Sequence, residues 1–236
     1  MPISSQPQIS KNNLKDHSFT LIELLVVMAV IAILAAMIFP ASRMAAAARL
    51  KNRAKVELKQ VETLIDLYKI KANVYPPCAA NSDAKLNSLY YELAGTRLNS
   101  GVYTTLNGRS LLKPDDIRIA FLLDGFVNTI EGAGNDEGQQ PRDFVIGTLR
   151  TGQFLEVLAT NWTLKTSTRV VILGSAIAGG DMLSGTTGGR INPFGYNSAT
   201  PTHNPNSYDL WLDINIFGVT YRICNWSSKP LPLYDK

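Results

Sequence analysis

The sequence predicts an α+β fold, in which one long N-terminal helix lays its second half on a C-terminal antiparallel β-sheet head. Three observations predict it. From Leu24 to Ala41 there are 18 residues without a charge, close to the roughly 20 that a membrane-spanning helix needs. Leu50, Ala54, Leu58, Val61, Ile65 and Tyr68 then recur at spacings of four and three, an apolar stripe along a helix that packs on a partner surface. Near the other end Leu210, Leu212, Ile214 and Ile216 alternate with Trp211, Asp213 and Asn215. After Phe217-Gly218 the alternation resumes with Val219, Tyr221 and Ile223, as in a hairpin with one buried face.

The elements follow in order. Residues 1–18 are polar, with Pro2, Pro7 and several Ser and Asn, and read as a leader without regular structure. Residues 20–72 read as one helix of ~80 Å, with a bend at Pro40, where a backbone donor is lost and the ring crowds the preceding turn. Pro76-Pro77 stop it. Leu86 to Leu98 suggests a short helix with Leu86, Leu89, Tyr90 and Leu93 on one face. Ile117 to Phe126 suggests a helix or strand that turns at Asp124-Gly125. Residues 131–143 and 179–189 are loops by composition, and Arg169 to Leu173 between them is a buried strand. The expected organisation is therefore a leader (1–18), an apolar helix half (19–41), an amphipathic helix half (42–75) and a globular head (76–236).

Charge is unevenly placed within the net +4 of the 236-residue chain. Residues 19–72 hold eight basic and four acidic side chains, whereas residues 73–236 hold thirteen basic and fourteen acidic. The head thus lacks the footprint of a nucleic-acid-binding domain. The basic stretch Arg43, Arg49, Lys51, Arg53 and Lys55 suits lipid headgroups or neighbouring subunits. By a simple count of positive charge, it would hold the head on the cytoplasmic side, since only Lys11 and Lys15 precede the apolar run.

Little in the chain suggests catalysis. The two histidines, His17 and His203, and two distant cysteines give no zinc spacing. No Gly-x-Ser-x-Gly elbow is present, and Gly180-Asp181 stand where a phosphate loop needs Lys and Ser or Thr. No enzyme activity and no cofactor are expected. Cys78 and Cys224 are candidates for a disulfide in an oxidising compartment, with two buried free thiols as the alternative. The residue that stands out is Glu23, a carboxylate at the head of the apolar run, because an acid there usually has a partner and a purpose.

Ser18-Phe19-Thr20-Leu21-Ile22-Glu23-Leu24 resembles the processing and assembly motif of type IV pilins and type II secretion pseudopilins. The likeness combines a short polar leader bearing Lys11 and Lys15, an aromatic residue after the cut, Glu as the fifth mature residue and Pro40 as the twenty-second. Tyr75-Pro76 resembles the pair that often closes the pilin helix. The family usually has Gly before the cut, where this chain has Ser18. A secretory signal peptide cut near Ala45-Ala46-Ala47 is the competing reading, but its apolar core usually runs about 7 to 15 residues. A plain signal anchor is a third.

The resemblance implies a pilin-like fold, cleavage between Ser18 and Phe19 by a prepilin peptidase, methylation of the new amine of Phe19, and assembly through Glu23 with other pilin-like subunits. It implies one pass through a bacterial inner membrane, contact with membrane lipid and with an assembly platform, a cytoplasmic leader and a periplasmic or extracellular head, against the simple charge count. The expected role is a pseudopilin of type II secretion. The alternatives are a pilus subunit for adhesion, motility or DNA uptake, and, from another class, a membrane-tethered binding domain that never polymerises. Tyr208-Asp209-Leu210-Trp211 and Ile223-Cys224-Asn225-Trp226 resemble C-terminal blocks of the major pseudopilin, between which that family binds calcium. Asp209 and Asp213 are the candidates here, although calcium takes about six to eight oxygens and Asp213 is the only acid between the blocks. The plainer reading puts both on a solvated strand face.

Overall fold

A computed structural model describes residues 20–80, 82–132, 140–161 and 165–233, with the side chains of 37–41 outside that description. The chain divides into two units, residues 1–46 and 47–236. The helix α1 (Leu21–Ala72) begins in the first and ends in the second.

In the first unit, α1 exposes apolar side chains on every side. Leu21, Ile22, Leu24, Leu25, Val26, Val27, Met28, Val30, Ile31, Ile33 and Leu34 are all solvent-facing. In the second unit the apolar residues of α1 are confined to one face. Ala54, Leu58, Val61, Leu64, Ile65 and Tyr68 are buried there, and Leu50 packs at the edge of the same core. The helix ends where Asn73 takes a left-handed φ of 57° and donates its N–H to the Lys69 carbonyl at 2.9 Å. Asn tolerates that conformation, and Lys69 and Lys71 in the last turn suit the negative end of the helix dipole.

The head carries three small sheets. After α2 (Leu89–Ala94), β1 (Thr96–Asn99) and β2 (Val102–Thr105) form a hairpin, followed by β3 (Leu111–Leu112), α3 (Pro114–Phe121) and β4 (Thr129–Glu131). Their order is β3-β2-β1-β4, with β4 parallel to β1. The second sheet contains β5 (Phe154–Asn161), β6 (Thr166–Ser175), β7 (Leu183–Ser184) and β8 (Arg190–Pro193) in the order β5-β6-β8-β7. A bridge from Val157 to Gly185 brings the residue after β7 back to β5. The third sheet is wholly antiparallel, β12-β11-β10-β9, from β9 (Gly195–Asn197), β10 (Asp209–Ile216), β11 (Val219–Cys224) and β12 (Ser227–Leu233). Edge strand β12 carries Pro230 and Pro232. One apolar core joins α1, α2, α3 and strands of the second and third sheets.

The fold is the α+β arrangement that the sequence predicts, and β10 and β11 form the expected hairpin, with Ile214 opposite Tyr221. Leu210, Leu212, Ile214 and Ile216 of β10 are buried as expected, but Asp213 is buried too, and in β11 Val219 is exposed while Ile223 and Cys224 are both buried. Three elements differ. The stretch 179–189, read as a loop, contains β7. The helix expected over Leu86–Leu98 occupies only Leu89–Ala94, because Gly95 adopts a φ of +65°, where a Cβ would come within 2.9 Å of the Arg142 carbonyl. The chain then pairs as β1. The segment from Ile117, read as a helix or a strand, is a helix that starts earlier, at Pro114, with the Lys113 N–H donated to Asp116 Oδ2 at 2.8 Å. Proline at the first helical position was its overlooked signal.

Candidate functional site

The N-terminal site is built by Thr20 and Glu23. The Thr20 backbone N–H and hydroxyl both donate to Glu23 Oε2 at 2.8 Å, and the Glu23 N–H returns to Thr20 Oγ1 at 3.3 Å. This reciprocal pair is a capping box that satisfies donors at the start of α1. Thr20-x-x-Glu23 before an apolar run is its sequence signature. Glu23 therefore has a local structural role, and it presents its carboxylate on an exposed surface beside Ile22, Val26 and Val27. Ser18 and Phe19 lie outside the described residues, as does the side chain of Pro40, which falls within the continuous α1. Among the described residues, no helix is long and apolar enough to cross a membrane.

The expected disulfide is corrected, since Cys78 and Cys224 are both free. The Cys78 sulfur accepts the Ser198 N–H at 3.1 Å and lies 3.7 Å from Asn197 Oδ1, next to β9. Cys224 pairs with Trp211, which pairs with Gly195 of β9. It is therefore two strands from Gly195, roughly 10 Å, whereas Cys78 sits beside Asn197 and Ser198. Burial pushes the Cys224 thiol up.

Asp209 and Asp213 are buried rather than solvated, which corrects the reading of a solvated strand face. Asp209 Oδ2 accepts the backbone N–H groups of Thr202 and His203 at 2.8 and 3.0 Å and lies 3.1 Å from His203 Nδ1. Its Oδ1 accepts the Asn204 N–H at 2.9 Å. Burial pushes the Asp209 carboxyl up, but the donors from His203, Thr202 and Asn204 together hold it below its usual range. Asp213 receives two parallel bonds from Arg222, at 2.8 and 2.9 Å, and Lys85 Nζ is 3.7 Å away while also pairing with Asp181. The hydrogen bond to Asp213 raises the Arg222 guanidinium further. Four residues apart on one strand, the two aspartates stand about 13 Å from each other. Among the described residues, no three His, Cys, Asp or Glu side chains gather as a metal would require.

The basic stretch after the apolar run is largely engaged by the chain itself. Lys51 Nζ lies 3.5 Å from the centre of the Tyr221 ring, and Lys55 donates to the Ser228 carbonyl at 2.8 Å. Arg53 pairs with Glu57 and Lys59 with Glu62. The Lys51 and Lys55 contacts fasten α1 to the third sheet, a use of positive charge that the simple count cannot see.

Sequence reasoning missed Glu92. It is fully buried, and accepts the Tyr68 hydroxyl at 2.8 Å and the N–H groups of Val127 and Asn128 at 2.9 and 3.0 Å. Burial pushes its carboxyl up, opposed by these three donors; burial and the facing Glu92 push the Tyr68 hydroxyl up as well. Glu92 thus ties α1, α2 and the segment before β4 together. Asn128 extends the tie, donating to the carbonyls of Glu92 and Arg142, both at 2.8 Å.

No curated protein and no solved structure matches the chain significantly. A family description does match, over the segment that holds Thr20 and Glu23. Proteins with this motif are structural, membrane-anchored subunits that are cut by prepilin peptidase and assemble with other pilin subunits. Over residues 13–39 this chain carries the prokaryotic N-terminal methylation motif, the prepilin motif of type IV pilins and pseudopilins.

Proposed function

We propose that the chain is a pseudopilin of a type II secretion system, cut between Ser18 and Phe19, methylated on Phe19 and assembled through Glu23. The observation that carries this reading is the motif match over residues 13–39, with Glu23 at its fifth mature position. The 18 uncharged residues from Leu24 to Ala41 serve as a single pass through the inner membrane, with the leader cytoplasmic and the head outside. Lys51 and Lys55 are held by Tyr221 and Ser228, so part of the basic stretch has a use within the head. In the filament, Glu23 meets the N-terminal ammonium of a neighbouring Phe19. That pairing offsets the cost of a carboxylate among apolar helices.

The secretion reading draws on the likeness of the C-terminal blocks to those of the major pseudopilin. Trp211 of one stands opposite Cys224 of the other across β10 and β11, and Asn225 Oδ1 accepts the Leu210 N–H at 3.0 Å, so the two resembling stretches form one unit. Mass spectrometry of the mature N-terminus tests the processing. N-methylated Phe19 is expected, and a start near Ala46 would end the pilin reading. Loss of secreted cargo without loss of surface pili, on deletion, separates the secretion role from the pilus role.

A further inference from the structure

The turn at residues 150–153 holds Arg150 beside α1 and leaves its side chain unused. The Gln153 N–H donates to the Arg150 carbonyl at 3.0 Å, and the Arg150 N–H donates to Gln153 Oε1 at 2.8 Å. The buried Gln153 then donates from Nε2 to Gln60 Oε1 at 3.1 Å, and Gln60 donates to the Thr148 carbonyl. These amide bonds clamp the turn to α1 beside a cleft of about 220 Å³. Arg53, Val56, Glu57 and Gln60 line it from the helix and Arg150 from the turn. All of them belong to the second unit.

Two groups in the cleft lack what they need. Among the described residues the Arg150 guanidinium meets no acceptor. The Glu57 side chain is 12% exposed and accepts from Arg53 Nε at 2.8 Å through Oε1, whereas Oε2 is buried without a donor among the described residues. A buried acceptor left unpaired is costly, and more so when it carries charge. A bare anion would satisfy Arg150 but bring like charge against Glu57. A carboxylate with an N–H beside it serves both, and the last residue of a peptide carries the two on one Cα. A wider groove of about 700 Å³ shares Val56, Gln60 and Arg150 with the cleft, which gives room for the residues before the last.

We propose that this cleft captures the C-terminal end of an extended peptide. The terminal carboxylate pairs with the Arg150 guanidinium, whose fork matches it, and the terminal N–H supplies the donor that Glu57 Oε2 lacks. An apolar last side chain meets Val56, which is 68% exposed, and Ala176 on the cleft wall. Affinity then comes from one charged anchor in a largely preformed cleft. No residue of the first unit takes part, so the site stands whether or not the chain polymerises.

The test titrates the full chain in detergent micelles with acetyl-Gly-Ala-Val, read by calorimetry. A dissociation constant of about 0.1–1 mM is expected for so small a ligand. The C-terminal amide of the same peptide should bind about tenfold more weakly or worse, and so should the intact peptide to Arg150→Met. Val56→Trp, which fills the cleft, should abolish binding. An ester oxygen in place of the last N–H should weaken binding several-fold in the parent and not at all in Glu57→Met. Arg150→Met should leave the melting temperature unchanged. A fall of several degrees would show that Arg150 closes on Glu57, and would overturn the proposal. So would equal binding of acetate or free valine, which would assign a small-anion or amino-acid site, and so would the absence of any binding heat with the peptide.

Discussion

The two halves of α1 dispose of their apolar residues in opposite ways. Between Leu21 and Leu34 they point in all directions and stay exposed, and between Ala54 and Tyr68 they keep to one face and are buried by the head. A helix apolar all round needs an apolar surrounding, whereas a one-sided helix needs one covering surface. The second half is completed within its own chain, whereas the first finds no cover among the described residues. Under the proposed function, the difference separates folding from assembly along one helix, with a different set of residues answerable for each.

The largest test of that separation is Glu23→Ala. It should abolish filament incorporation, read by cross-linking or by recovery in sheared filaments, while leaving leader cleavage, membrane level and head stability intact. Normal assembly of this variant in a strain lacking the native copy would break the comparison. Next, Ile65→Ala, at a fully buried position, should destabilise the head by about 2–5 kcal/mol in urea unfolding. Ile33→Ala, which is exposed, should leave the unfolding midpoint unchanged. A similar loss at both would mean that the halves fold as one.

Glu92 sharpens the contrast through pH. Its folded carboxyl lies above the ordinary value of 4.5, so the folded chain binds the extra proton between 4.5 and its raised value. Stability from this group therefore falls as pH rises through that window and levels off above it. Glu92→Gln should flatten that slope, seen as the difference in urea midpoints across pH. At neutral pH it should also cost about 1–3 kcal/mol, because Gln cannot accept from all three donors. A steeper slope in the variant would refute the assignment. Because packing closes the head, thiol labelling of unfolded, unreduced protein should find both Cys78 and Cys224 free. The smallest effect concerns calcium. With Asp213 already held by Arg222 and Lys85, neither calcium nor a chelator should shift the melting temperature, and a clear rise with calcium would show an unassigned site.

The features that the sequence made legible are those with a period. The stripe from Ala54 to Tyr68 and the alternation from Leu210 to Ile223 each repeat a spacing that backbone geometry imposes. Thr20 carried a signal too, the three-residue step to Glu23, which the reading of the chain passed over. Glu92 carried no such signal. Among Leu89, Tyr90, Tyr91 and Leu93 it reads as the polar position of a short helix, and two of its three donors are backbone groups 35 and 36 residues away. The cysteines show the same gap. Their types suggested a bridge, but strand order decides distance, and β10 lies between them.

Strand β12 ends its sheet with two of seven residues, Pro230 and Pro232, lacking an N–H. An edge strand with proline is a poor template for an incoming strand. Wherever copies crowd together, an unguarded edge would weld neighbours. In the terms of polymer chemistry, the prolines lower the valence of the monomer. They cap a reactive side group, so this edge offers an incoming strand little to grow from.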